Sequence, residues 1–360
     1  MDWSAIRAEF PALANWTYLN TATYGQLPRR ARAAADRHYA QREEGASADF
    51  LKWFDDVDDI RALIGRLINC EAADIAFAMN AGAALSLFLG GIHWKEGDRI
   101  VTLRDEFPNQ YYFAASLASK GVELVEMNEI NQLPDRTRAV LISTVNYSNG
   151  YRPDAGLVSQ LTHRAGALLY LDGTQSAGAL RFDIAQVKPD MFAVDGYKWL
   201  LAPNGATFFY ITPELRRTLK PSVMGWRSDK GWRSVDELNH GVPHLPEAAE
   251  RYEGGMLNFS AIYGAAESIR MMLEIGTDVI EQRVLELARK TTEMLKSTGA
   301  TIVNENSSIV AVHWPDRDAS ALAKKLEAQR IVVAARHGNL RVSPHFYNNE
   351  ADIERLRAAL

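Results

Sequence analysis

Cysteine is nearly absent: Cys70 is the only one in 360 residues. No internal disulfide can form, and a reducing, cytoplasmic compartment is expected. No apolar run reaches the length of a membrane span, and Met1-Asp2-Trp3-Ser4 lacks the basic-then-apolar order of a secretory leader, so no membrane partner is expected. Neither sign of charge dominates. The formal charge is -5 with 24% charged residues, and no concentrated basic surface calls for nucleic acid. A glycine-rich dinucleotide fingerprint is missing too, since Leu89-Gly-Gly-Ile92 does not supply one, which argues against a nicotinamide-dependent dehydrogenase. There are no internal repeats and no low-complexity segments, and no metal-ligand set is assigned.

What is present is a regular alternation. Ile75–Met79, Arg99–Leu103, Val122–Met127, Arg138–Ser143, Leu168–Asp172, Met191–Val194 and Ala206–Ile211 are short apolar runs, most of them continuous. Continuous runs suit strands covered on both faces. Helical patterns lie between them at Ala84–Gly91, Gln110–Lys120 and Asp154–Ala165, which predicts an α/β fold with a mainly parallel sheet. Ser260–Leu295 reads as one long or two abutting helices. A small α+β set follows, with strands at Ser308–Trp314, Ile331–Ala335 and Asn339–Val342 and helices at Ala319–Gln329 and Glu350–Leu360. Pro221–Glu253 is rich in Trp, Gly, Ser and Pro without periodicity, and its Trp226 and Trp232 are candidates for a contact between subunits. Cys70, at the end of a helical pattern, reads as a small buried apolar residue rather than a reactive thiol.

Two polar residues interrupt this apolar frame at informative places. Asp172 ends the run Ala167-Leu-Leu-Tyr-Leu-Asp172, and Lys198 follows another strand in Phe192-Ala-Val-Asp-Gly-Tyr-Lys-Trp-Leu-Leu201. Alone, the aspartate is equally a turn or helix-capping residue, and an ordinary lysine is solvated. Together they sit at the carboxyl ends of strands, where open α/β sheets bind ligands. A lysine in apolar surroundings has its ammonium form disfavoured, so its amine can attack a carbonyl. Such a lysine can hold pyridoxal phosphate as an imine, and such an acid can keep the pyridine nitrogen protonated.

From Phe10-Pro11 to the C-terminus the chain resembles the class V aminotransferase family of fold type I pyridoxal phosphate enzymes. That family includes aminotransferases, cysteine desulfurases, C–S lyases, kynureninases and isopenicillin N epimerase-like proteins. The resemblance is carried by Asp172, Gln175, Gly178 and Asp195-Gly-Tyr-Lys198. It implies a large cofactor-binding domain over 15–258, whose mainly parallel sheet has seven strands, and a small α+β domain made of 1–14 and 259–360, joined by a long helix. It also implies pyridoxal 5'-phosphate as cofactor and a homodimer with shared active sites.

Roles follow position by position as implications of the resemblance. Lys198 and Asp172 are catalytic, and both bind the cofactor. Phe107, in Glu106-Phe-Pro108, stacks on the pyridine, although a core aromatic is the commoner fate of phenylalanine. Gln175 and Tyr147 lie near the phenolic oxygen, with Asn146 close by. Asn80, Ala81 and Gly82 open a helix and hold the phosphate through main-chain N–H groups, aided by Tyr197. The family's usual hydroxyls are missing here, and Gly255, in Arg251-Tyr-Glu-Gly-Gly255, replaces a threonine that reaches the neighbouring subunit's phosphate. Arg341 holds the α-carboxylate of an amino acid substrate, with a structural ion pair as its alternative. Asn20 and Tyr24 are further substrate-side candidates, and His345 supports the domain interface.

The leading expectation is aminotransfer, with C–S lyase or epimerase chemistry second. A desulfurase that uses a protein thiol is disfavoured, because no cysteine follows Cys70. A protein that keeps the fold and has lost catalysis is the non-enzyme alternative.

Overall fold

The computed structural model describes residues 1–360. Seven strands form the central sheet: β1 (Ile75–Ala78), β2 (Arg99–Leu103), β3 (Glu123–Met127), β4 (Thr137–Ser143), β5 (Leu168–Asp172), β6 (Met191–Val194) and β7 (Thr207–Ile211). Their spatial order is β1-β7-β6-β5-β4-β2-β3. The strands from β2 to β6 are mutually parallel, and β7 runs antiparallel to both of its neighbours. The strand period of two explains why these runs are continuously apolar. Val140, Ile142, Leu169, Leu171, Phe192 and Val194 enter one core, while Ala139, Leu141, Tyr170, Met191 and Ala193 enter another on the opposite face. Both faces are buried, so neither set can be polar.

Ser260–Leu295 resolves into two helices, Phe259–Ile275 and Thr277–Ser297. The break is Gly276, whose φ of +96° lies outside the helical region. The first helix packs along helices Arg29–Gly45 and Phe50–Ile68. The second backs a four-stranded antiparallel sheet made of Thr301–Ile302, Val310–His313, Asn339–Val342 and Ala334–Arg336. Ile331–Ala335, expected as one strand, divides at Val333. Ile331–Val332 pairs in parallel with Thr17–Tyr18, and Ala334–Arg336 turns away into a hairpin.

This N-terminal segment is the seam of the molecule. Thr21 N–H donates to the Ser343 carbonyl, and Ser343 N–H donates to that of Leu19. Further along, Gly25 N–H reaches the Tyr197 carbonyl at 2.9 Å. A Cβ at residue 25 would stand 1.9 Å from the Lys198 carbonyl oxygen, so only glycine lets the segment lie on that loop. Gly178 does the same from another side: its φ is +97°, and a Cβ would meet the Trp199 carbonyl oxygen at 2.3 Å.

Within the chain, the expected contact residues Trp226 and Trp232 are engaged on Phe54, with ring centroids 6.1 and 4.8 Å from it, and Trp232 is buried in the core. No helix is long and apolar enough to cross a membrane.

Candidate active site

The strand register sets Asp172 beside Ala193 on adjacent parallel strands, and Lys198 follows four residues after β6 ends. The loop carrying Lys198 is clamped at several atoms. His345 Nε2–H donates to the Trp199 carbonyl at 2.8 Å, while its Nδ1 accepts the Phe346 N–H. These partners fix its tautomer, and burial pushes its basicity down to about 3, so it is neutral and acts as a strut. Its expected supporting role places it here, under the lysine loop. The Trp199 indole N–H donates to Gln175 Oε1 at 2.8 Å, and Gln175 Nε2 donates to the Ala22 carbonyl at 3.0 Å. Gln175 therefore locks the site's wall with most of its amide and keeps one N–H to spare.

Lys198 is buried yet makes no ion pair; its amine lies 5.4 Å from the Phe107 ring centroid and 5.5 Å from that of Tyr197. Burial drives its pKa down to about 8. Asp172 and Asp195 oppose that shift, and Arg341 and Arg336 add to it. An amine of this kind is about half neutral at pH 8, where an ordinary lysine is roughly 1% neutral or less. Reductive methylation of the cofactor-free protein, mapped by peptide, is expected to modify Lys198 with a midpoint near pH 8. A midpoint shared with surface lysines, above pH 10, would contradict the assigned burial.

Asp172 is buried. Its Oδ1 accepts the Thr174 N–H at 2.9 Å, and Oδ2 has no protein partner. The turn-residue and ligand-holding readings of this aspartate are thus compatible, one oxygen serving each. Phe107 stands half-buried, with the Tyr147 ring edge-on at 5.2 Å. The Tyr147 hydroxyl bonds His337 Nε2 at 2.8 Å. Asn146 is consumed locally, because its side-chain oxygen accepts from Ser148 and Asn149 and its Nδ2 donates to the Asp105 carbonyl.

Arg341 is almost fully buried. Its guanidinium donates to the Tyr147 carbonyl, Asn20 Oδ1 and Thr23 Oγ1, while Nε has no partner. It forms no ion pair, so the structural salt-bridge alternative does not hold. Asn20 is thereby joined to Arg341. Tyr24 is more peripheral, its hydroxyl on Asn204 and its ring 4.9 Å from that of Tyr197.

The expected phosphate corner differs from the reading of the sequence. Asn80 caps the helix Ala81–Gly91 by accepting the Ala83 N–H at 2.8 Å. The Ala81 N–H faces Asp195 Oδ2 at 3.4 Å, and Thr207 donates to Asp195 Oδ1 at 2.9 Å. A carboxylate thus occupies the helix N-terminus, leaving Gly82 with the free N–H of this turn. Burial holds the Asp195 carboxyl above its usual range. Gly255 stands apart from the lysine cluster. Its N–H bonds the Glu253 carbonyl, and its own carbonyl accepts from Arg227. Glu253 is the anchor of that stretch, fully buried between Arg61 and Arg227 and accepting the Phe77 N–H.

Glu106 is a site residue that sequence reading left without a role. It is buried, accepts Ser143 N–H and Oγ–H at 2.7 and 2.6 Å, and burial raises its carboxyl to about 7, with Asp172 adding to the rise. The signal was present in Glu106-Phe-Pro108, but an acid next to an aromatic does not announce its own burial.

The family profile described as aminotransferase class V matches residues 18–356. The chain belongs to this family. A probable cysteine desulfurase of Methanothermobacter thermautotrophicus is 24% identical, over 99% of this chain and 96% of that protein. The isopenicillin N epimerase of Streptomyces clavuligerus is 26% identical, over 100% and 98%. Among solved structures, a cystine C–S lyase in complex with cysteine persulfide superposes with a TM-score of 0.89 at 22% identity, covering 97% of this chain and 98% of its own. The fold is that of fold type I enzymes, and the cofactor of this class V chain is pyridoxal phosphate.

The residues present fit that group. An unpaired buried amine, a buried carboxylate with a free oxygen and an aromatic face converge on one place. The fit is weakest where Asp195 meets the helix N-terminus, because an anion there opposes a phosphate. Asp195→Asn is expected to tighten binding of pyridoxal phosphate about tenfold more than binding of pyridoxal, or about 1.4 kcal/mol, because both ligands feel the change at Lys198 and only one carries the phosphate. Fluorescence titration of both ligands checks this, and equal effects on the two would refute it.

Proposed function

We propose that this enzyme acts on an amino acid, with Lys198 and Asp172 as its catalytic residues and aminotransfer as its reaction. The observation that carries the reading is the buried, unpaired Lys198, whose amine is brought near neutrality beside Asp172 and Arg341. Bound pyridoxal phosphate supplies an electron sink for a carbanion at the amino acid's Cα.

Lys198 would hold the cofactor, and its amine of lowered basicity would serve as the base that moves the Cα proton. Asp172 would present Oδ2, its oxygen without a protein partner, to the pyridine nitrogen and favour its protonated form. Phe107, whose ring lies beside the Lys198 amine, would stack on the pyridine. Tyr147 and the spare N–H of Gln175 address the phenolic oxygen. Arg341 takes the α-carboxylate with its forked donors, and Asn20 orients that fork from behind. Gly82, with its free N–H, and Tyr197 would hold the phosphate, since Ala81 faces Asp195 and Asn80 caps the helix; Tyr24 packs on Tyr197 at the edge of this corner.

We place this unit in a homodimer, with Gly255 of one subunit near the other's phosphate. Support comes from Met79, Val223, Met224 and Met256, which stand exposed around that corner. A monomer mass by sedimentation would remove this part of the proposal.

Cys70 gives no support to a persulfide route. Burial, then Asp74 and Glu71, raises its thiol to about 12, far from a reactive thiolate. The deciding assay loads the protein with cofactor and supplies amino acids with and without pyruvate or 2-oxoglutarate. Keto acid formed only with an acceptor supports aminotransfer. Sulfide or ammonia released without an acceptor would replace it with lyase chemistry, and inverted Cα configuration alone with epimerisation.

A further inference from the structure

The hairpin Ala334–Arg336/Asn339–Val342 turns through His337 and Gly338, both with positive φ, +48° and +78°. Two such residues in a row match the twist of a tight hairpin. Its register sets Ala334 opposite Arg341 and Arg336 opposite Asn339. Alternation then decides the faces. Leu340 and Val342 enter the core of the small domain, with Ala335 packed against it. Arg336 and Arg341 therefore share the other face as diagonal neighbours, a spacing that long side chains bridge.

Both guanidinium groups reach one oxygen. Arg341 Nη2 and Arg336 Nη2 each donate to Thr23 Oγ1, the latter at 3.3 Å. Neither arginine has an ion-pair partner, although the other buried arginines, Arg61, Arg216, Arg227 and Arg283, all do. Two cations held on one hydroxyl with no counter-ion are a costly arrangement unless an anion joins them. They adjoin the lysine cluster: Arg341 donates to the Tyr147 carbonyl, the Tyr147 ring stands edge-on to Phe107, and the Lys198 amine lies 5.4 Å from the Phe107 ring. His337, at the hairpin tip, bonds the Tyr147 hydroxyl that borders the same space. Thr23, Asn20, Tyr147, His337, Tyr18 and Lys198 surround this pair; Asp172 and Asp195 act on the same Lys198, and neither they nor any other carboxylate pairs with Arg336 or Arg341.

We infer that the substrate carries two anionic groups: an α-carboxylate on Arg341 and a side-chain carboxylate or comparable anion on Arg336. The substrate class is thus amino acids with an acidic side chain. This rests on the reading that the site binds an amino acid at all. Arg336 is the specificity-determining residue, and the short hairpin is the device that brings it beside Arg341.

The test compares acid and amide pairs on the cofactor-loaded protein: L-aspartate with L-asparagine and L-glutamate with L-glutamine. Binding is read by calorimetry and by the change in cofactor absorbance. Glutarate and butyrate, which lack an amine and cannot react, are measured alongside as a dianion and a monoanion. The wild type is expected to bind at least one acid about tenfold or more tighter than its amide, and glutarate tighter than butyrate. Arg336→Gln should reduce affinity for the acid far more than for its amide, and Arg336→Lys should restore part of the preference. Equal affinity within both pairs in the wild type overturns the inference without recourse to any variant. So does an Arg336→Gln loss that is the same for acid and amide. If no amino acid of either kind binds, the proposed function itself fails and this inference falls with it.

Discussion

Exchanging Lys198 for methionine is expected to abolish turnover while making the cofactor-free protein more stable at neutral pH. The first effect follows from losing the group that holds the cofactor and moves the proton, worth about 10²–10⁴-fold for proton transfer alone. The second is a matter of linkage. The folded-state pKa of Lys198 is about 8, below its ordinary value of 10.5. Between those values the unfolded chain binds the extra proton, so wild-type stability rises with pH across that window. Below pH 8 the amine is charged in the folded state, and the burial cost is fully present. Methionine removes that cost, at most about 3 kcal/mol, with a side chain of similar length. The difference between the two proteins should shrink as pH climbs from 8 towards 10.5. Denaturant titrations at pH 7 and pH 10 check it. An unchanged or lowered stability at pH 7 would mean that Lys198 is not held as an unpaired buried amine.

Asp172→Asn is the second large effect. Asparagine keeps the oxygen that accepts the Thr174 N–H, so the turn after β5 is preserved. What is lost is the negative charge facing the cofactor nitrogen. Removal of one preorganised electrostatic partner in a water-poor site costs about 10²–10³-fold in kcat, with cofactor still attached at Lys198. A second readout separates this from misfolding. Asp172 raises the basicity of Lys198, so the variant's Lys198 should titrate below about 8 in the methylation experiment. Full activity in the variant would place the charge elsewhere.

How much of this was readable beforehand depends on the range of the interactions. The seven strands were legible because burial on both faces leaves uninterrupted apolar runs, and β2, β5 and β6 begin and end where those runs do. Asp172 and Lys198 stood out for the same reason, as polar residues at the ends of apolar strands. What escaped was set by contacts distant in sequence. Thr17–Tyr18 pairs with Ile331–Val332 more than 300 positions away, and that pairing splits an apparently single strand. Trp226 and Trp232 looked like surface aromatics in an irregular segment, yet Phe54 receives them. Asp195 was read as part of a motif, and only the packing of β6 and β7 against helix Ala81–Gly91 shows its carboxylate at the helix start. Arg336 drew no attention either, because the turn that aligns it with Arg341 follows from backbone conformation at His337 and Gly338.

The most direct test incubates the protein with pyridoxal phosphate, reduces it with borohydride and maps the labelled peptide. A single label on Lys198, within the Phe192–Leu201 segment, is the result expected from an unpaired amine of depressed basicity facing Asp172. Label confined to other lysines, or none at all with the protein folded, would contradict the central assignment.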